Sequence, residues 1–506
     1  MSIRHALHSF QHSKFGIRYS IFLTFLLFSC TKDFPEINTN PNEPDNIDPR
    51  LQFSYVLNRA ASERSDQWRG NLIYCSIWSQ QLSGSWETDR YITANEDWLG
   101  AWWNNSYQRL GKDLFDIINK TEEGSNLHSM ATIFKVFFFQ RLTDMYGDIP
   151  YSQANQGAVF PQPQFDRQED IYKSFIEDLT KAVSNLDQTK EEIGNADILY
   201  NGDVGKWKRF GNSLLLRIAL RISKVEPELA KSIAQQAVEN GVMMSNDDIA
   251  YVSFSGSDVD GPNANGVSEV FQDFGITGHL FRYSDEFVNF IINNEDPRED
   301  NLMETYRNDG SIDNSVGSGN HLGRPNGIDP GNDDFVFAQP RRDVMVTYNA
   351  PAIYMSYAEV EFLRAEAIVL GWIEGDAQQA YENGIFAACK HLSLYPNAAS
   401  IDDDDILDYL EEFDVEYDTR NALEQINTQK WIALLFDGFE AYANQRRSGF
   451  PKLTPGLAKG ESDGEIPRRL RYPIGEKVNN AANYQIAVDR LLEGDVLTSR
   501  MWWDVN

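Results

Sequence analysis

The chain has 506 residues, 42% of them apolar and 12% aromatic, and a formal net charge of −31 at pH 7. That length can bury a large core, as one repetitive helical body or as about three ordinary domains. The negative charge repels nucleic acid and anionic membrane surfaces alike, so electrostatic binding to either is excluded and any membrane attachment needs another device.

That device stands at the N-terminus. Arg4, Lys14 and Arg18 precede a short apolar run, IFLTFLLF at 21–28, and Ser29 precedes Cys30. A basic stretch followed by a short hydrophobic one is the pattern of an export signal. The run is too short for a permanent membrane helix, and no later segment reaches about 18 uninterrupted apolar residues. LFSC at 27–30 is similar to a lipoprotein processing site, in which Cys30 becomes the acylated first residue; more than one acyl chain is needed for stable anchoring. Residues 1–29 are therefore expected to be a lipoprotein signal peptide. Residues 30–49, with four prolines, are expected to be an extended tether. The remaining cysteines, Cys75 and Cys389, sit in apolar or alanine-rich runs, which predicts two buried free thiols.

Residues 50–506 read as a single helical body. Apolar spacing predicts a helix over 51–82, interrupted near 69–70, and another over 101–121. Between them, SGSWETDRYITANEDWLG at 83–100 is polar, turn-rich and aromatic. Residues 127–146 and 170–186 form a predicted helical hairpin. Phe134, Phe138, Leu142 and Met145 share one face of its first helix, which Ile133 and Phe137 widen, and Gly147 and Pro150 stop it. Asp144 and Asp148 flank the resulting turn, for which a structural role is expected. A second hairpin covers 207–223 and 227–240. A third covers 355–370 and 377–391, where Ala365, Ala367, Ala377 and Ala380 with Phe362 and Tyr381 follow a loose tetratricopeptide pattern. Residues 245–348 form a loop-rich insertion, with turn-forming runs at 256–266 and 308–334 around a phenylalanine-rich segment. An acidic helix at 402–413 and a buried one at 422–437 lead to a C-terminal stretch rich in Arg, Pro and Asn. The fold class is mainly α, built from stacked helix pairs.

Catalytic chemistry finds little support. Seventy-six carboxylates make any acid pair uninformative. His128, His279, His321 and His391 have no metal-ligand spacing, and there is no HExxH, GxSxG, P-loop or paired CxxC motif. The acidic run at 402–405 and the pair Asp258 and Asp260 lack EF-hand spacing and read as solvated acids. No metal or cofactor is expected. A sugar ring presents an apolar C–H face and a rim of hydroxyls, so its binders combine flat aromatics with polar side chains. Trp86, Asp89, Arg90, Tyr91, Asn95 and Trp98 offer that combination, and Phe281 and Tyr283 are weaker candidates from the insertion. The same tryptophans also fit inward packing, and such a surface also accepts peptides.

Five segments together resemble the SusD/RagB family of nutrient-binding outer-membrane lipoproteins. They are CTKDFPEINTNPN at 30–42, LTDMYGDIPYSQA at 142–154, NTQKWIALLFDGFEAYANQRRSGFP at 427–451, IPRRLRYP at 466–473 and WWD at 502–504. The resemblance implies a helical body with four tetratricopeptide-like helix pairs, an irregular capping region and a place on the outer face of the outer membrane. It implies a partner, a TonB-dependent transporter resembling SusC, over which the protein acts as a lid. Lys32, Asp33 and Glu36 are similar to the charged segment that sends such lipoproteins to the cell surface. The implied function is non-enzymatic capture of a nutrient, an oligosaccharide first. A peptide-binding member of the family, an exported glycoside hydrolase and a helical scaffold without small ligand are the alternatives.

Overall fold

A computed structural model describes residues 47–84, 87–93, 95–257, 261–273, 281–329 and 334–505. The expected signal peptide, Cys30, most of the tether, Trp86, Asp258, Asp260 and His279 lie outside the described residues. Pro49–Asn506 forms one body. Its main helices are α1 (Pro49–Ser62), α2 (Gln67–Ser76), α3 (Lys112–Lys120), α4 (Asn126–Tyr146), α5 (Gln168–Asn185), α6 (Val204–Arg221), α7 (Pro227–Glu239), α8 (Tyr357–Val369), α9 (Ala377–Lys390), α10 (Asp403–Leu410), α11 (Ala422–Ala433) and α12 (Gly438–Ser448).

The three hairpins expected from apolar spacing are α4–α5, α6–α7 and α8–α9, each packed along its length. Their starts follow from capping chemistry, because a side-chain oxygen accepts an otherwise orphan N–H of the first turn. Ser125 takes the His128 N–H (3.2 Å), Asp203 that of Lys206 (3.0 Å) and Ser356 that of Glu359 (3.1 Å). Gly147 ends α4 at φ +85°, a conformation that glycine adopts without steric cost. Gly384 lets α9 approach α8, since a Cβ there would lie 2.6 Å from the Phe362 ring.

Two elements depart from the sequence reading. The helix expected over 51–82 breaks at Glu63, whose carboxylate accepts the Ser65 N–H, and resumes as α2 wound in the π form. The helix expected over 422–437 stops at Ala433, turns at Phe436 (φ +69°), and is followed by α12. That second helix completes a fourth pair, α11–α12. It escaped the periodicity because it is buried on every side, its polar residues included: Glu440, Asn444, Arg446 and Arg447 are as buried as Phe439 and Tyr442.

The insertion is clamped at its base. Strand β2 (Ala250–Val252), where the chain leaves the stack, pairs antiparallel with β6 (Ala352–Met355), where it returns. Further out, β1 (Leu82–Ser83), just past α2, pairs with β3 (Arg282–Tyr283), and β4 (Met303–Glu304) pairs with β5 (Gln339–Pro340). The second chain crossing at β1–β3 carries the loop after α2 to the insertion.

A buried seam of charge joins the helix pairs. Arg217 of α6 meets Glu359 of α8 through two bonds of 2.7 Å, and Arg221 meets Glu440 of α12 at 2.5 Å. Lys430 of α11 lies 3.4 Å from Glu440, and Arg447 forks onto Glu366 of α8 at 2.6 and 2.7 Å. Burial alone would raise the Glu440 carboxyl, but Arg221, Arg217 and Lys430 around it hold it down at about 2. Asp144 joins the same seam, accepting from the Tyr172 hydroxyl (2.5 Å) and the Trp503 indole (2.9 Å) and lying 3.3 Å from Arg221. Asp148 takes the Gln168 N–H and the Arg490 guanidinium, at 2.8 and 2.7 Å. Both carboxylates of the 142–154 turn are thus used up inside the fold. Cys75 and Cys389 are free and buried.

Candidate functional site

The loop from Gly84 to Gly100 carries most of the aromatic and polar residues proposed as sugar-binding. Its interior is fixed by a carboxylate. Asp89 is buried and accepts from Arg324 (2.6 Å), from the N–H groups of Gly84 (3.1 Å) and Gly327 (3.2 Å), and from Ser83. Tyr91, at φ +58°, turns its ring inward, and its hydroxyl accepts the Gly456 N–H at 2.7 Å. Burial raises the pKa of that phenol. Glu461 closes the loop's far side on Thr93, whose N–H it accepts at 2.9 Å.

Four of the expected site residues are therefore framework. Asp89 and Tyr91 hold the loop together, and Phe281 packs on Phe271 with ring centroids 5.2 Å apart. Tyr283 is fully buried, stacks on Phe287 at 4.9 Å and donates its hydroxyl to the Leu302 carbonyl at 3.0 Å. A side chain with no accessible surface and a satisfied polar end has nothing left to offer a ligand. The short strand pairing β1–β3 is the cause for Tyr283, since it draws that residue beneath the loop.

Arg90, Asn95 and Trp98 do reach the surface. Arg90 is half-buried between Glu87 (3.4 Å) and Asp329 (3.0 Å). Asn95 is exposed and caps the short helix Glu96–Leu99 through the Trp98 N–H at 3.0 Å. The half-buried indole of Trp98 meets that of Trp68 edge to face, with centroids 4.8 Å apart and planes at 62°. The guanidinium of Arg69 lies over both rings, 4.9 Å from the Trp68 centroid and 5.0 Å from that of Trp98. Among the described residues no carboxylate pairs with Arg69, and its buried Nε finds no acceptor. A half-buried cation held against two indoles, with no carboxylate to close it among the described residues, is a donor group beside apolar ring surface.

Trp68 and Arg69 were not legible as site residues. The expected α-helix over 51–82 placed them at its interruption, whereas the π winding of α2, with its i→i+5 bonds, resets which side chains face outward. The Trp-Arg-Gly sequence at that interruption was the available signal.

Other chemistry is sparse. No cluster of three or more potential metal ligands occurs among the described residues, and no described helix is long and apolar enough to cross a membrane. Asp403 of the acidic run pairs with Lys390 at 2.5 Å. His391 is buried and held neutral, its pKa lowered to about 4 by burial and by the nearby Arg298 charge. Two surface clefts flank the 142–154 turn. One, of about 470 Å³, lies between Arg167, Arg490 and Trp502. The other, of about 460 Å³, lies between Trp103, Gln108 and Phe160.

A family model described as SusD-like, "Starch-binding associating with outer membrane", matches residues 41–473. A solved structure titled "chitin-binding protein" superposes with a TM-score of 0.81 at 32% identity, covering 91% of this chain and 100% of its own. A Bacteroidetes SusD-like protein gives 0.81 at 29% identity, with the same coverage. A chitin-binding SusD homologue from Flavobacterium johnsoniae gives 0.77 at 26% identity, covering 90% of this chain and 99% of its own. No curated sequence matches. The matched family and these relatives are described as binding proteins, not enzymes.

Proposed function

The chain belongs to the SusD-like family, and from that premise we propose that it captures an oligosaccharide at the cell surface and passes it unaltered to a TonB-dependent transporter. The observation that carries the glycan reading is the rim formed by Trp68, Arg69 and Trp98. Indole surface matches the C–H face of a sugar, and a guanidinium lying against both rings offers donors to ring hydroxyls or an acyl oxygen without needing to be ordered first. Arg90 and Asn95, and Trp86 from the same loop, complete the proposed contact surface. The relatives described as chitin-binding make β-linked N-acetylglucosamine oligomers the first ligand to try, and the starch-binding family description makes α-glucans the second.

In the same reading residues 1–29 are removed, Cys30 is acylated, 30–49 serve as the tether, and the helical body sits over the transporter as its lid. Titration calorimetry of the soluble chain from residue 31 with chito- and malto-oligosaccharides tests capture. Binding that falls at least tenfold in the Trp68→Ala, Trp98→Ala double variant supports it. An absence of binding to every oligosaccharide, with binding to peptides instead, rules out the glycan ligand. Delivery is tested by co-purification of a transporter from detergent-extracted outer membranes, and anchoring by release of Cys30→Ala protein from them.

A further inference from the structure

We propose that the cleft beside Trp103 is a second glycan site, taking an uncharged oligosaccharide of two or three sugar units. This rests on the reading of the chain as a glycan-binding protein, but it concerns different residues from the rim. At about 460 Å³ the cleft falls in the size range of small-ligand sites. Three separate segments wall it: the helical stretch around Trp103 and Gln108, the turn-rich segment from Pro150 to Pro163, and the short helix Ile474–Asn479 through Glu476.

Its surface has the two components a sugar requires. The half-buried Tyr107 and Phe160 and the exposed Pro161 supply apolar area, backed by the buried Trp103 indole 5.2 Å from the Tyr107 ring. Asn104, Gln108 and Asn155 line the cleft, and their side-chain amides have no hydrogen-bond partner among the described residues. A primary amide carries both an acceptor oxygen and two donor hydrogens, which matches vicinal hydroxyls or an acetamido group, each a donor and acceptor in turn. Charge is nearly absent. The Glu476 carboxylate is occupied by the Trp103 indole N–H at 3.2 Å and by Asn480 at 3.4 Å, leaving Lys112 as an exposed cation at the margin. That donor set disfavours an anionic ligand, which calls for paired arginines, and suits a neutral one.

The walls are set before any ligand arrives. Tyr107 donates to the Pro150 carbonyl at 2.6 Å. Gln162 donates to the Asn479 carbonyl and Asn480 to that of Pro163, both at 2.8 Å, stapling the turn-rich segment to the C-terminal helices. Asp166 takes the N–H groups of Tyr151 and Ser152, both at 2.8 Å, fixing where that segment begins. A cleft already ordered loses little conformational freedom on binding, which favours even a modest contact set.

The test is calorimetric titration of chitotriose, and separately maltotriose, into the soluble chain and two double variants. Two binding events are expected for the unaltered chain. Asn104→Ala with Gln108→Ala removes one and leaves the other unchanged in affinity; Trp68→Ala with Trp98→Ala does the converse. Both cleft positions are exposed, and an unchanged melting temperature confirms that the fold is intact. A single event, lost in the tryptophan variant and untouched in the amide variant, overturns the second site while the glycan reading stands. No event with any oligosaccharide overturns both.

Discussion

Two regions of this molecule treat arginine in opposite ways. In the seam between the helix pairs, Arg217, Arg221 and Arg447 each close on a buried carboxylate, Glu359, Glu440 and Glu366. At the rim, Arg69 is held instead against two indoles, with no carboxylate paired to it among the described residues. A closed charge is spent: it fixes how α6, α8, α11 and α12 meet and is neutralised by a carboxylate inside the fold. An open charge on aromatic supports keeps its donors for something that arrives later. The sequence segments that mark the family lie largely in the first region, and the proposed ligand contacts lie in the second.

The comparison is broken most severely from the seam side. Glu440→Ala leaves Arg221 and Lys430 buried without their shared carboxylate and is expected to cost about 3–5 kcal/mol, read as a lower denaturation midpoint. Stability equal to that of the parent would show that the seam is not what joins the pairs. The next effect separates the seam from other buried groups by pH. The cations around Glu440 hold its carboxyl at about 2, so that carboxylate stays ionised throughout the mildly acid range. His391 behaves differently, because its folded pKa of about 4 lies below the ordinary 6.5. Its contribution is complete above pH 6.5 and is lost as pH falls through 4, up to about 3 kcal/mol. Denaturation midpoints should decline over that window, and His391→Gln should flatten the decline. An unaltered slope in the variant would assign the acid sensitivity elsewhere.

The rim predicts a change of a different kind. Arg69→Met keeps an apolar stem against the two indoles and removes the donors; glycan affinity should fall roughly tenfold, about 1.4 kcal/mol, with stability within about 0.5 kcal/mol of the parent. If stability fell instead and affinity did not, Arg69 would belong with the seam. The smallest effect is expected at the exposed pair Lys181 and Glu123, where Glu123→Gln should leave the melting temperature unchanged, since solvent screens such pairs.

Much of the helical frame was legible because apolar residues at helical spacing must be buried together whatever surrounds them. Phe134, Phe138 and Leu142 announced α4, and Ala365, Ala380 and Tyr381 announced the close pair α8–α9. Helix α12 was not legible, because beside Phe439 and Tyr442 it also buries Glu440, Asn444, Arg446 and Arg447, which look like surface until their partners elsewhere in the fold are known. The site divided in the same way. Its chemistry, aromatic side chains beside amides and a guanidinium in a turn-rich loop, was visible as composition, and Asn95 and Trp98 do reach the surface. Tyr91 and Tyr283 have the same composition but were turned inward by a left-handed backbone and by a strand pairing.

The sequence by itself determined the helix hairpins, the family, and the loop in which to look, because periodicity, capping residues and composition are local properties. Tertiary structure alone decided which aromatics face water, that Trp68 and Arg69 join Trp98, and which charges are spent inside. Those outcomes depend on partners far away in the chain, as between Trp431 and the Ser79 carbonyl 352 residues before it, bonded at 2.8 Å. No local pattern records whether such a partner will arrive, so a tryptophan or an arginine reads the same in sequence whether it is later closed off or left open.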